Sequence, residues 1–237
     1  MDDVAAAPSG AQAAREPGPL RLGGREFPPE RRLVMAIVNR TPDSFYRPGI
    51  SWDEGAALEQ VHTAVAEGAD ILDVGGVPAK PGPEVTVTEE IRTLTPRTRP
   101  FRPIFTDVMA DVTDRVLGLA ERARQAGVDP ARIVIDPAHD FGKNTWQSLE
   151  LTRRLGELTA TGWPVLLSAS RKDFVGETLG APVEDRLAGT LAVTAVGAWL
   201  AARIFRAHDV RATRQALDMV AAVRGDLPPA RAVRGLA

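Results

Sequence analysis

Met35-Ala36-Ile37-Val38-Asn39-Arg40-Thr41-Pro42-Asp43-Ser44-Phe45 decides how this chain is read, because a short apolar run stops at an Asn and gives way to a turn-forming Thr-Pro-Asp-Ser cluster. Apolar runs that end in polar loops build the active face of an α/β protein. Working outward, residues 33–38 are the first strand, and Ser51-Trp52-Asp53-Glu54 has the form of a capping box. The helix it opens carries a buried stripe of Ala57, Val61, Ala64 and Val65, and Glu67-Gly68-Ala69 closes it. Residues 70–74 are the second strand, with Gly75 and Gly76 starting its loop. A short helix covers 88–94, and Val108, Val112, Leu119 and Ala123 form a helical stripe ending at Gly127. Strand 132–136, helix 146–159, strand 164–168, helix 184–200, strand 203–206 and helix 213–223 complete the pattern. Five strands alternating with helices imply a parallel sheet.

A chain of 237 residues, 44% hydrophobic and 25% charged, is long enough for one sizeable core, read here as a single domain over residues 31–224. Residues 1–30, rich in Ala, Pro, Gly and Arg without apolar periodicity, read as a disordered tail, and 225–237 as a flexible one. A net charge of -2 with both signs interspersed offers no face for nucleic acid and no membrane patch, so the expected partner is a small molecule. The absence of cysteine excludes disulfides and thiolate chemistry and fits a reducing compartment. The longest apolar stretch, residues 187–205, is interrupted by Thr, Gly and Arg203 and does not read as a membrane span. With no signal-peptide pattern at the N-terminus, the expected location is the cytoplasm.

Several residues at strand ends carry chemistry, each with a plainer reading beside it. Asp136, ending the Ile-Asp-Pro strand, offers a planar carboxylate to a ligand edge that presents two adjacent N–H donors, or merely caps the next turn. Lys172 follows the next strand and suits a ring carbonyl or phosphate; alone it reads as a solvated lysine. Arg206 and His208, two apart, face one side if the strand continues through both and then converge on a pyrophosphate. Their plainer role is a strand-end ion pair with Asp209. Asn39 is a neutral oxygen donor at the first strand's mouth, compatible with Mg2+ held mainly by water and substrate phosphates. The kinase-like Asp140-Phe141-Gly142 has no accompanying nucleotide loop and is discounted. His139 with Asp140 is too sparse for a metal site, and His62 reads as a surface residue.

Four blocks together resemble dihydropteroate synthase, a pterin-binding enzyme of folate biosynthesis: Asn39 to Phe45; Asp73-Val74-Gly75-Gly76 with Pro81-Gly82; Asp136-Pro137 with Phe141-Gly142-Lys143; and Ser170-Arg171-Lys172 with Arg206-Ala207-His208-Asp209-Val210. The resemblance covers about residues 33–223. It implies an eight-stranded TIM-type β/α barrel and a transferase that joins 6-hydroxymethyl-7,8-dihydropterin diphosphate to 4-aminobenzoate, with magnesium present. Asp136 would anchor the pterin, Lys172 and Arg171 would lie in the substrate site, and Asn39, Arg206 and His208 would hold the leaving pyrophosphate. Asn39 would be the metal-facing residue.

The chain departs from the family pattern in three places. Arg40 stands where the family usually has Val, followed by Tyr46-Arg47-Pro48-Gly49 in place of Ser-Asp-Gly-Gly. Val77-Pro78-Ala79-Lys80 replaces the Glu-Ser-Thr-Arg of the second loop, and Lys80 lacks the bidentate fork of arginine. Residues 75–132 are too few for three further strands with their helices, since each strand-helix-strand unit takes roughly 30 residues. About five of eight strands remain, an incomplete barrel with a junction near residues 96–100. Five strands cannot close an eight-stranded barrel, and the open edge invites pairing with another chain, for example in a homo-oligomer. Three functions stay open: an active synthase, a catalytically inactive paralogue that binds a pterin or phosphorylated ligand, and a poorly folded deletion product.

Overall fold

The computed structural model describes residues 19–39, 54–75 and 105–234. Two short strands, β1 (Leu20–Leu22) and β2 (Arg25–Phe27), form an antiparallel hairpin. Then come β3 (Leu33–Asn39), α1 (Glu54–Ala66), β4 (Ile71–Gly75), α2 (Val108–Gln125), α3 (Thr145–Arg153), α4 (Leu155–Thr159), β5 (Leu166–Leu167), α5 (Asp173–Leu179), α6 (Leu187–Trp199), β6 (Ile204–Ala207) and α7 (Val210–Arg224).

The second sheet has the order β4-β3-β6-β5 with every pair parallel, and an isolated parallel bridge joins Ile135 to Val165 beyond β5. The chain's last strand therefore lies beside its first, Leu33 opposite Ile204 and Ala36 opposite Ala207. Every spatial neighbour is also a neighbour in sequence, cyclically, except between β4 and the Ile135 segment. Such a cyclic order is that of a β/α barrel rather than a doubly wound sheet. Among the described residues the arc is that of an incomplete barrel, open between β4 and the Ile135 bridge.

Alternation along each strand separates two layers. Val34, Ala36, Ile135, Leu167 and Phe205 point outward into a core shared with Met109, Leu151, Leu155, Phe174, Ala198 and Leu217 from the helices. The opposite face turns to the lumen, and its floor of Leu33, Leu166 and Ile204, with Met35, Ile71 and Val134 beside them, packs under Leu20 and Phe27. Two residues further along the same face come Asp73, Asp136, Ser168 and Arg206. Parallel strands with period-two alternation thus place polar groups at the mouth and apolar groups below.

For residues 19–30 the hairpin corrects the expectation of a disordered tail over 1–30; residues 1–18 lie outside the described residues. Gly23 and Gly24, with φ of 55° and 78°, make the two-residue turn that matches strand twist. Leu20 and Phe27 are 2% and 7% exposed. Composition alone gave no sign of this, because the hairpin is stabilised by the lumen floor it covers rather than by its own contacts. The buried Arg203 guanidinium donates to Pro28 O at 3.1 Å and Arg32 to Pro29 O at 2.6 Å, tying the hairpin's exit to β6 and β3. Beyond α7, which ends at the left-handed Gly225, residues 226–234 carry no helix or strand.

Other expectations shift locally. The strand read over 132–136 shrinks to one bridge, since Asp129 caps a 3-10 turn at Pro130–Arg132 that uses up its start. Helix 146–159 divides at Arg154, whose guanidinium pairs with Asp107, Glu150 and Glu157. Helix 184–200 begins only after a 3-10 turn at Val183–Asp185. On α1, Ala64 is buried but Val65 is 55% exposed, so the stripe is narrower than read. The 51–54 capping box, the first and second loops, the 88–94 helix and the 96–100 junction lie outside the described residues.

Candidate active site at the lumen mouth

Asp136 leaves the Ile135 bridge into a loop with φ of 54° at Ala138, 66° at Asp140 and 66° at Gly142. Its Oδ1 accepts the Ala138 N–H at 2.7 Å, so the carboxylate closes the turn that follows it and the capping role holds. Lys172, Arg206 and Lys143 bear on the same carboxylate electrostatically, so the site around it is cationic. Crowding by protein raises the Asp136 carboxyl above its usual range, with Lys172 opposing first. The side chain still opens to solvent, which offsets part of that desolvation, and the three cations favour its charged form.

Lys172 starts α5, and its Nζ donates to His139 O at 2.5 Å while lying 4.6 Å from the centre of the Phe141 ring. Burial pulls its amine down to about 8, with Asp136 and Asp140 opposing and Arg206 and Lys143 reinforcing. It is a held cation, not the solvated lysine of the plainer reading. Lys143 donates to Ala138 O and Phe141 O, bracing the same loop.

Arg206 crosses over β3 to give its Nε to Asp73 Oδ2 at 2.7 Å. His208 instead turns to the β5 loop, where its Nδ1 lies 2.9 Å from Ser170 Oγ. Burial lowers the imidazole to about 4, assisted by Arg206, so His208 is neutral at neutral pH. β6 stops at Ala207, and the two side chains take different partners, Asp73 and Ser170, while Arg206 stays near enough to bear on the imidazole. The Asp209 carboxylate is held by Arg171 and favours the charged form of His208 electrostatically.

Arg171 departs from its expected place in the substrate site. Its side chain is 3% exposed, with Nε and Nη2 on the two Asp209 oxygens at 2.9 and 3.1 Å and Nη1 on Val183 O and Glu184 O at 2.8 Å each. The φ of 55° at Arg171 swings the side chain behind the loop and out of the lumen. It fastens the β5 loop to the start of α7. Asn39 ends β3 opposite Gly75, and the loop after it lies outside the described residues.

Sequence reasoning missed Asp73 and Ser170, the partners of Arg206 and His208. For Asp73 the alternation from Ile71 was the available signal, since it repeats the lumen register of an apolar floor residue; Ser170 lies past the end of β5, where strand alternation gives no signal. Among the described residues no three His, Cys, Asp or Glu side chains gather to hold a metal, and Asp136 sits among cations that repel one. A groove of about 440 Å³ between α3 and α6, lined by Leu149, Thr152, Arg153, Val196, Trp199 and Leu200, is on the helical side and holds none of these residues. No helix among the described residues is long and apolar enough to cross a membrane.

Ala138 has a Cβ in the left-handed region, which costs roughly 1–2 kcal/mol, while glycine there adds roughly 0.4–1 kcal/mol of unfolded-chain entropy. Ala138→Gly is therefore expected to stabilise the protein by up to about 1 kcal/mol in urea unfolding. A destabilised variant would mean that the loop does not hold this conformation.

An arc of parallel strands with a charged mouth above an apolar floor is the ligand-binding end of a TIM-type barrel. The profile of the pterin binding enzymes matches residues 35–113 and 103–208, and the chain belongs to that family, the dihydropteroate synthases. The inactive dihydropteroate synthase 2 of Mycobacterium tuberculosis is 42% identical over 287 positions, covering 91% of this chain and 90% of that one. Since 287 exceeds this chain's 237 residues, at least 50 of those positions are missing here, as an internal deletion requires. The Yersinia pestis dihydropteroate synthase, solved as a sulfonamide drug complex, superposes with a TM-score of 0.78 at 25% identity, covering 88% of this chain and all of that one. The Coxiella burnetii dihydropteroate synthase in complex with pteroic acid does so with a TM-score of 0.73 at 28% identity, covering 87% and 98%.

Proposed function

We propose that this chain is a dihydropteroate synthase family member that binds a pterin or related phosphorylated ligand at the lumen mouth without carrying out the condensation with 4-aminobenzoate. The observation behind this reading is the interrupted strand order: Asp136, Lys172 and Arg206 lie near one another at the mouth, while a segment between β4 and the Ile135 bridge is shortened relative to the matched relatives. The similarity to a relative named as inactive supports it, as does Val77-Pro78-Ala79-Lys80 in the second loop. In this reading Asp136 accepts from the amino-pyrimidinone edge and Lys172 donates to a ring carbonyl. Arg206, steadied by Asp73, and His208 face the diphosphate. Asn39, at the end of β3, would be the residue to offer a neutral oxygen to a magnesium ion that neutralises the diphosphate.

The second reading, an active transferase, draws on the same residues. There, donors at the diphosphate stabilise the leaving group as its bond to the pterin methylene breaks, and no covalent nucleophile is needed. Calorimetry with 6-hydroxymethyl-7,8-dihydropterin diphosphate and magnesium, followed by a pyrophosphate-release assay with 4-aminobenzoate, separates the two. Binding without release supports the proposal; release, or rescue of a strain lacking the synthase, establishes the transferase; no binding removes both. Asp136→Asn is expected to weaken that binding by about 1–3 kcal/mol, the range for an impaired buried hydrogen-bond partner. An unchanged affinity would take Asp136 out of the site.

A further inference from the structure

Asp140 is not accounted for by the pterin-facing residues, yet it holds a costly position. A non-glycine residue at a φ of 66° is strained, and such strain persists only where surrounding contacts enforce it. Three contacts do so here. Asp140 Oδ2 accepts the Phe174 N–H at 3.2 Å, its Oδ1 accepts the Ser148 hydroxyl at 3.1 Å, and its own N–H donates to Ser148 Oγ at 3.2 Å. Ser148 is fully buried on α3. Phe174 lies in the first turn of α5, where backbone N–H groups lack intrahelical partners, and the N-cap residue Lys172 makes no side-chain capping bond. Asp140 thus caps α5 from a loop 34 residues away, and α5 begins with the residue whose ammonium rests on His139 O.

We propose that Asp140 is a positioning residue: by tying the start of α5 to the 137–143 loop, its carboxylate holds the Lys172 ammonium on the His139 carbonyl, charged and within reach of Asp136. The functional meaning rests on the pterin-binding reading, but the device is testable without ligand. The charged groups around the ammonium are Asp136 and Asp140, which favour the cation, and Arg206 and Lys143, which oppose it. Asp173, beside Lys172, bears on Asp140 in turn.

The chain has only three lysines, Lys80, Lys143 and Lys172, so acetylation of each is readily followed by mass spectrometry of the whole folded protein after digestion. Asp140→Asn keeps an acceptor for Phe174 N–H and removes the charge. At pH 7 it is expected to raise the acetylation rate of Lys172 about twofold or more, with Lys80 as the internal reference, because loss of a nearby carboxylate enlarges the neutral-amine fraction. Asp140→Gly suits the left-handed backbone and removes the acceptor, so the Phe174 amide should exchange at least about tenfold faster in a protein that still unfolds cooperatively. If Asp140→Asn fails to fold, the Lys172 rate is read in the glycine variant, where faster acetylation is again expected. Lys172 reacting at the wild-type rate in the folded variant would overturn the proposal, even if Phe174 exchange had changed, since capping alone would explain that. Pterin binding by the wild type is scored separately, so failure of the functional reading and failure of the positioning role give different results.

Discussion

Arg171→Met is expected to destabilise the protein by about 3–5 kcal/mol, the cost of breaking a buried ion pair from one side. The guanidinium joins Asp209, at the start of α7, to the carbonyls of Val183 and Glu184, while the Arg171 N–H donates to Thr190 Oγ1. Truncation leaves two carbonyls and a carboxylate without these donors, and methionine's flexible chain replaces only the volume. Arg171→Lys should recover little, because an ammonium cannot span both Asp209 oxygens and the carbonyls behind them. Urea unfolding reads the effect, and a loss below about 1 kcal/mol would show that the fork is not held in solution. The same variant checks the reassignment of this residue from the ligand to the scaffold: ligand affinity in the fraction that stays folded should be little altered.

Acidification should destabilise the fold through His139. Its imidazole is fully buried, stacked on Phe174 at 5.7 Å, and burial lowers it to about 3, with Lys172 and Lys143 adding to the shift. Thr152 Oγ1 donates to Ser148 O at 2.9 Å, so it receives the His139 Nε2–H at 3.1 Å, which leaves Nδ1 bare and without a partner. The unfolded chain takes a proton at this residue below its ordinary value near 6.5, whereas the native state does not until about 3. Stability is therefore unaffected above that ordinary value and falls as pH drops through the window between the two, by about 2 kcal/mol at pH 5. His208, lowered to about 4, acts in the same direction, while the raised carboxyls of Asp136 and Asp140 act against it by binding protons first in the native state. His139→Leu isolates the one contribution: the loss between pH 7 and pH 5 should shrink by about 2 kcal/mol. Parallel stability curves for wild type and variant would show that His139 protonates in the native protein.

Some of the site was readable before any fold was known, and the reasons are local. Asp136 and Lys172 stand at the ends of apolar runs, where the barrel's direction puts chemistry, and both are found at the mouth. Arg171 stands between Ser170 and Lys172 with nothing in the sequence to distinguish it from a ligand-facing residue. Only its left-handed backbone, and an aspartate 38 positions later, turn it inward. Arg206 and His208 read as a pair from their spacing, but each is held by a partner of its own, Asp73 and Ser170. Those partners depend on which strands lie side by side, so Asp73 and Ser170 were read only as parts of family-like blocks and not as partners.

The sequence by itself determined the β/α alternation, the five strand positions in outline, the family and the missing segment between β4 and Ile135, because these follow from periodicity, punctuation and length. Tertiary structure decided what depends on neighbours distant in the chain. The first strand lies between the second and the last, a hairpin from a compositionally featureless segment floors the lumen, and Arg171 serves the scaffold. Periodicity says which way a side chain points from its own strand; pairing across the sheet determines what it meets there.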